Sequence, residues 1–367
     1  MKSIITTLLL FFSLSSFAQQ TNETIVINGI TRNYIQYLPT GFDSNTESLP
    51  VVFCLHGLGG TKAQLVSVGF NLMADTARFI VIYPQGVLNP YNQTSWNNGT
   101  LLSSSANDLS LFNQLIDSMI ISKNANPARI YSTGFSMGSI MSYNLACNLN
   151  SRIAAIATMS GTMSTSDLSS CVPAYVTPVI HFHGTVDPTV PYDSSPLPSL
   201  SLVPQTLAFW KNAHGCLNTS DSTRFADTAA DGLTVDRFVY NGCSPNSSLE
   251  FIRINGGDHS YFYKPLNDFT EAIEAWRFLS QWSHESPATA SIHEQKEAEF
   301  NIVPNPNNGH FNIKSNIQTI GHLYNTEGRI IKTINLEIGD NLIENNELTK
   351  GVYFLKTNQS VVKIAIL

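Results

Sequence analysis

A chain of 367 residues is long for a single hydrophobic core, so two folded units are expected, one large and one small. Hydrophobic residues make up 43% and charged residues 13%, a globular composition that excludes a collagen-like or wholly disordered chain. The formal net charge of -7 provides no basic footprint for phosphate backbones, which sets nucleic-acid binding aside.

In chain order, Lys2 precedes the apolar run Ile4, Ile5, Leu8, Leu9, Leu10, Phe11 and Phe12, and small residues follow up to Ser16-Phe17-Ala18. This predicts a signal peptide over residues 1–18, cleaved after Ala18, because the run is shorter than the roughly 20 apolar residues that span a bilayer. Export through the periplasm would place the five cysteines where thiols can pair. Cys147 and Cys171 bracket one excursion, Cys216 and Cys243 another, and Cys54 lies inside an apolar run, so two disulfides and one buried free thiol are expected. Connectivity stays open at this point, as does a set of unpaired, buried cysteines.

Residues 19–283 alternate apolar strands with helical periodicity. Strands are predicted at Tyr34 to Leu38, Val51 to Leu55, Phe79 to Tyr83, Arg129 to Thr133, Ile153 to Met159, Val179 to Phe182, Val235 to Tyr240 and Phe251 to Ile254. Leu109, Phe112, Leu115, Ile116, Met119 and Ile120 recur at helical spacing, as do Phe269, Ile273, Trp276 and Leu279. The fold class is therefore α/β, a mostly parallel sheet with helices on both faces. Residues 284–299 are polar and read as a linker, and His284-Glu285 and His293-Glu294 match no common metal spacing. Residues 300–367 show short alternating strands, at His310 to Lys314, Val352 to Lys356 and Val361 to Ile366, with turns at Asn325-Thr326-Glu327-Gly328 and at Asn358. They predict a small all-β domain without a catalytic cluster.

Chemistry concentrates in Gly134-Phe135-Ser136-Met137-Gly138. A GxSxG pentapeptide alone is weak, but here it follows a predicted strand and precedes the helical stretch Ser139 to Cys147, the setting of a nucleophile elbow. Its glycines suit a turn too tight for side chains. A serine hydroxyl needs a base to take its proton and a carboxylate to orient that base. Asp187 lies just past the strand ending at Phe182, where strand ends deliver catalytic groups, and Asp193 is its nearest rival. Of the histidines after it, His284, His293, His310 and His322 belong to linker and tail, and His214 sits at a helix end. His259 remains, in a Gly-Gly loop after the strand Phe251 to Ile254. An oxyanion would be met by the amide of Met137 and by one from His56-Gly57-Leu58-Gly59-Gly60, with Leu58 as the choice.

These residues resemble the secreted esterases that include polyhydroxyalkanoate depolymerases, feruloyl esterases and acetylxylan esterases. The resemblance spans Ile25 to Trp282 and rests on Leu55-His56-Gly57, Tyr83-Pro84-Gln85-Gly86 with Ser95-Trp96-Asn97, the elbow at Ser136, His183-Gly184-Thr185-Val186-Asp187 with Val190-Pro191-Tyr192, Gly215-Cys216, and the stretch ending at His259. It implies the α/β-hydrolase fold and ester hydrolysis through an acyl-enzyme, with no metal or cofactor and with Trp96 lining the substrate cleft. A structural tryptophan is the competing role for Trp96. The family usually has a Trp-Pro pair after the histidine, whereas this chain has Ser260-Tyr261-Phe262, which leaves the substrate open.

The tail resembles the C-terminal sorting domain of the type IX secretion system. Pro304-Asn305-Pro306, Gly309, Phe311, Leu323-Tyr324-Asn325, Gly328, Leu348, Gly351-Val352-Tyr353-Phe354 and Val362-Lys363 carry the match. It implies the type IX machinery as a partner, with passage across an outer membrane and release or attachment at the cell surface. A polysaccharide-binding module competes, but the tail lacks the tryptophans that sugar platforms use. The expected substrate is a plant cell-wall ester or a polyester, acted on by a monomer. A serine peptidase of the same fold and a non-catalytic surface protein are the alternatives.

Overall fold

The computed structural model describes residues 19–194, 197–284, 300–325, 330–344, 348–357 and 361–366. The expected signal peptide, the linker after residue 284 and the expected turns at residues 326–328 and 358 lie outside the described residues. The chain divides into two units, Met1–Ser286 and Pro287–Leu367.

Apolar runs in the first unit form strands with both faces covered. An edge hairpin, β1 (Gln19–Ile27) and β2 (Ile30–Leu38), leads into β3 (Val51–Leu55) and β4 (Ile80–Pro84), in which every residue is buried. A two-stranded ribbon of β5 (Val87–Leu88) and β6 (Thr94–Ser95) precedes β7 (Ile130–Phe135), β8 (Ala155–Met159) and β9 (Val179–Gly184). The series closes with β10 (Ser220–Arg224), β11 (Thr234–Tyr240) and β12 (Leu249–Asn255). The main sheet runs β1-β2-β4-β3-β7-β8-β9-β12-β11-β10. From β4 to β12 in that order the neighbours are parallel, and both margins are antiparallel.

The helices are α1 (Phe70–Ala77), α2 (Asp108–Lys123), α3 (Met137–Asn148), α4 (Thr165–Ser170), α5 (Val203–Ala213) and α6 (Glu271–Leu279). Strand alternation assigns them to two cores. Val51, Phe53 and Leu55 join Phe112 of α2, Met141 of α3 and Trp210 of α5, while Val52 and Cys54 join Phe70 of α1 and Phe278 of α6. Local signals fix the ends: Asn107 caps α2 by accepting the Ser110 N–H, and Ser164 caps α4 through Asp167 N–H. Disulfides join Cys147 to Cys171 and Cys216 to Cys243, and Cys54 is a buried free thiol.

The second unit contains β13 (Phe300–Val303), β14 (His310–Ser315), β15 (Thr319–Asn325), β16 (Ile330–Leu336), β17 (Gly339–Glu344), β18 (Gly351–Lys356) and β19 (Val361–Ile366). Sheets β13-β14-β17 and β16-β15-β18-β19 share one apolar cluster that includes Phe311, Ile313, Leu323, Leu336, Leu355 and Ile364. It is an all-β unit. Among the described residues no helix is long and apolar enough to cross a membrane.

Candidate active site

Parallel neighbours point their carboxyl ends to one edge of the sheet, so the segments after β3, β7, β9 and β12 emerge side by side. Ser136 follows β7 at φ 56° and ψ -118°, a backbone conformation that costs a non-glycine residue about 1–3 kcal/mol and lifts its side chain off the strand. The turn closes only because its flanking positions lack Cβ atoms. One added at Gly134 would stand 2.3 Å from the Gly138 carbonyl carbon, and one at Gly138 would stand 2.0 Å from the Leu55 carbonyl oxygen. The Ser136 N–H donates to the Met159 carbonyl at 2.7 Å and fastens the turn to β8.

Asp187 comes from the segment after β9 and His259 from the segment after β12. His259 Nδ1 lies 2.7 Å from Asp187 Oδ2, and Nε2 lies 2.9 Å from Ser136 Oγ. A carboxylate only accepts, so Nδ1 carries the ring proton and Nε2 presents its lone pair to the serine hydroxyl. Asp187 Oδ1 accepts the N–H groups of Thr189 and Val190, both at 2.8 Å. Burial alone would raise the Asp187 carboxyl, but the hydrogen bonds from His259 and Val190 hold it below the usual carboxylate range. Phe135 packs on the His259 ring with centroids 4.9 Å apart. Asp193, the rival acid, makes no contact with His259 among the bonds of the described residues.

Leu58 and Met137 flank the serine from the segments after β3 and β7. Met137 opens α3, so its amide is among those a helix leaves without an internal acceptor. On the other side, Gly57 N–H goes to Gln64 Oε1 at 3.0 Å and Gly59 N–H to the Thr94 carbonyl at 2.8 Å, which leaves the Leu58 amide between two anchored ones. His56 braces the same loop. Its Nε2 accepts the Gly86 N–H at 2.9 Å, so Nδ1 bears the proton that meets the Gly57 carbonyl at 2.7 Å. Burial lowers the His56 pKa to about 4, which keeps the ring neutral.

Trp96 corrects an expectation. The residue expected to line the cleft is wholly buried, its Nε1–H donates to the His56 carbonyl at 2.9 Å, and its ring lies 4.8 Å from that of His56. It supports the Leu58 loop from beneath. The cleft itself is a cavity of about 380 Å³ opening at Ser136, with walls from Leu58, Tyr91, Leu101, Ile140, Val190 and Leu200. Thr100, Thr189 and Ser199 also line it, and among the described residues no charged side chain does. These wall residues escaped the sequence reading because apolar loop positions carry no polar signature. Asp108 and Arg32 were missed as well. They form a buried pair at 2.7 Å, and Asp108 also accepts the Asn97 N–H at 2.7 Å, which ties β2 to the stretch after Trp96. No group of three His, Cys, Asp or Glu among the described residues could hold a metal ion.

The architecture has solved counterparts. An acetyl xylan esterase from Aspergillus awamori superposes with a TM-score of 0.53 at 16% identity, covering 71% of this chain and 99% of that one. The first unit has the α/β-hydrolase fold. Within this unit, residues 43–198 match the phospholipase/carboxylesterase family. Residues 301–365 match the secretion system C-terminal sorting domain. Among curated relatives, a bifunctional acetylxylan esterase/xylanase of Neocallimastix patriciarum is 25% identical over 72% of this chain, which spans only 35% of that protein. A probable feruloyl esterase C of Aspergillus terreus is 29% identical over 65% of this chain and 79% of its own length.

Proposed function

We propose that the hydrolase unit is a secreted serine carboxylesterase that cleaves its substrate through an acyl-enzyme. The observation that carries the reading is the continuous chain from Ser136 Oγ to His259 at 2.9 Å and from His259 to Asp187 at 2.7 Å. In this mechanism His259 Nε2 takes the hydroxyl proton as Ser136 Oγ attacks the ester carbonyl. The oxyanion is received by the amides of Leu58 and Met137, which need no reorganisation as charge develops. Imidazolium then returns the proton to the departing alcohol, and a water activated by the same imidazole releases the acid. Asp187 keeps the ring in the required tautomer throughout.

The substrate side rests on the cavity. Walls of leucine, isoleucine, valine and tyrosine without a charge favour an uncharged acyl group, in keeping with relatives named feruloyl and acetylxylan esterases. A polyester is the second reading, favoured by Tyr91 and Leu101, which are 66% and 69% exposed at the cavity and give an extended apolar chain somewhere to lie. For the second unit we propose export by the type IX route, supported by its match to a sorting domain. A panel of feruloyl, acetylated-xylan, hydroxybutyrate and aromatic polyester substrates beside peptides tests the assignment. Turnover of one ester class is expected, and Ser136→Ala should lower kcat about 10⁶-fold. Hydrolysis of peptides alone, or full activity in Ser136→Ala, would overturn it.

A further inference from the structure

Behind the acid lies a polar structure that the reaction steps above do not use. β9 carries two histidines, His181 and His183, two residues apart and therefore on the same face of the strand. Both are wholly buried, and their rings stack with centroids 5.2 Å apart. Phe251 covers His181 at 5.8 Å and Tyr192 meets His183 edge-on at 6.2 Å. Two imidazoles in an apolar setting ought to be replaced by Leu or Phe unless their nitrogens are in use.

All four nitrogens are in use, and their roles follow from one fixed end. His183 Nε2 lies 2.8 Å from the Val190 carbonyl, which can only accept, so Nε2 carries the proton. It also lies 3.5 Å from Asp187 Oδ2, the oxygen that receives His259. In the neutral ring His183 Nδ1 must then accept, and His181 Nε2, 3.2 Å away, must donate to it. That leaves His181 Nδ1 as an acceptor, with two rotatable hydroxyls, Tyr143 Oη and Thr158 Oγ1, each at 2.9 Å. The hydrogens of the series thus run one way, from the hydroxyls to the Val190 carbonyl beside Asp187. Burial lowers both rings and keeps them neutral, although the Val190 carbonyl and the Asp187 charge pull His183 the other way.

We infer that His183 is a positioning residue, the end of a one-way hydrogen-bonded ladder from Tyr143 and Thr158 through His181 that holds the Val190 carbonyl and Asp187 in place for His259. The Val190 N–H donates to Asp187 Oδ1 while its carbonyl receives His183, so a single peptide segment is clamped between acid and ladder. The inference rests on the esterase reading for its catalytic consequence, but the proton arrangement stands independently of it.

The test has two arms on the full chain. Imidazole ¹⁵N shifts of the wild-type protein at pH 7 should show both His181 and His183 neutral with the proton on Nε2. A proton on Nδ1 of either ring, or a charged ring, overturns the ladder whatever the protein hydrolyses. In the second arm, His183→Phe keeps the ring shape and removes both nitrogens, whereas His183→Gln places an amide N–H near the position of Nε2. With a nitrophenyl ester, His183→Phe is expected to lower kcat about tenfold with KM unchanged, and His183→Gln to recover most of it. Equal kcat in His183→Phe and wild type refutes the positioning role. If His183→Phe does not fold, the comparison of His183→Gln with His183→Leu replaces it, and failure of Gln to exceed Leu refutes the role. Absence of ester turnover and of fluorophosphonate labelling in the wild type would instead sink the esterase reading, with the ¹⁵N result still deciding the ladder.

Discussion

Trp96 shows how one side chain can belong to a motif and still leave its role open. The Ser95-Trp96-Asn97 stretch identified a neighbourhood, but whether an indole faces the substrate or the scaffold depends on backbone direction, which adjacent residues do not encode. Its Nε1–H is committed to the His56 carbonyl, so Trp96→Phe leaves a buried acceptor unpaired and should cost about 1–3 kcal/mol in a urea titration. The same variant should lower kcat through a looser Leu58 loop and leave KM for bulky esters as it was. A KM change that tracked acyl size would return Trp96 to the cleft. Ser136, Asp187 and His259 were legible for a different reason. Each is a polar residue a few positions past a predicted strand, and parallel pairing converts that chain position into a place on one edge.

The secondary elements differ in the same way. β3 was readable to the residue because it is five buried apolar positions in a row, whereas β10, with the sequence SDSTR, is wholly exposed and offers neither alternation nor an apolar face. It is held by backbone pairing to β11 and by the Arg224–Asp236 ion pair at 2.8 Å, tertiary contacts that its own residues do not announce. The six-residue α4 was missed because it is too short to show helical spacing. The close fit of β3 against the elbow is testable: Gly138→Ala drives a Cβ onto the Leu55 carbonyl, backbone against backbone, and should destabilise by about 3 kcal/mol or prevent folding. Helix α6 gives a pH prediction. Glu271 is wholly buried, and burial raises its carboxyl well above the usual 4.5, with only the Phe262 N–H opposing. Below pH 4.5 both folded and unfolded chains carry the neutral acid. As pH climbs, the unfolded chain ionises first and stability is lost until the folded group ionises too. Glu271→Gln removes that loss, so its urea midpoint should exceed that of the wild type by a margin that grows from pH 4.5 upward and vanishes below it.

For the molecule as a whole, composition and chain texture separated an α/β portion from an all-β tail because buried parallel strands and exposed hairpins use different residues. Cysteine pairing was not readable from spacing, since a 24-residue separation such as that of Cys147 and Cys171 is compatible with many folds. The bond joins the end of α3 to the residue that closes α4, close to where Asn144 Nδ2 donates to Asp167 at 3.1 Å. Replacing both cysteines by serine should cost about 3 kcal/mol and lower Tm by several degrees, while kcat at 25 °C stays as in the wild type. A loss of activity in the folded variant would mean that α3 transmits strain to the elbow at its other end.

One asymmetry of construction has a wider consequence. The reacting groups hang from strand ends locked by backbone contacts too close for any added atom, while much of the wall around Ser136 comes from connecting stretches such as Thr100 to Leu102 and Leu197 to Leu200. Appetite and chemistry thus reside in separate materials. Grafting those stretches from a cousin with another diet should change which esters are accepted and leave the turnover apparatus intact.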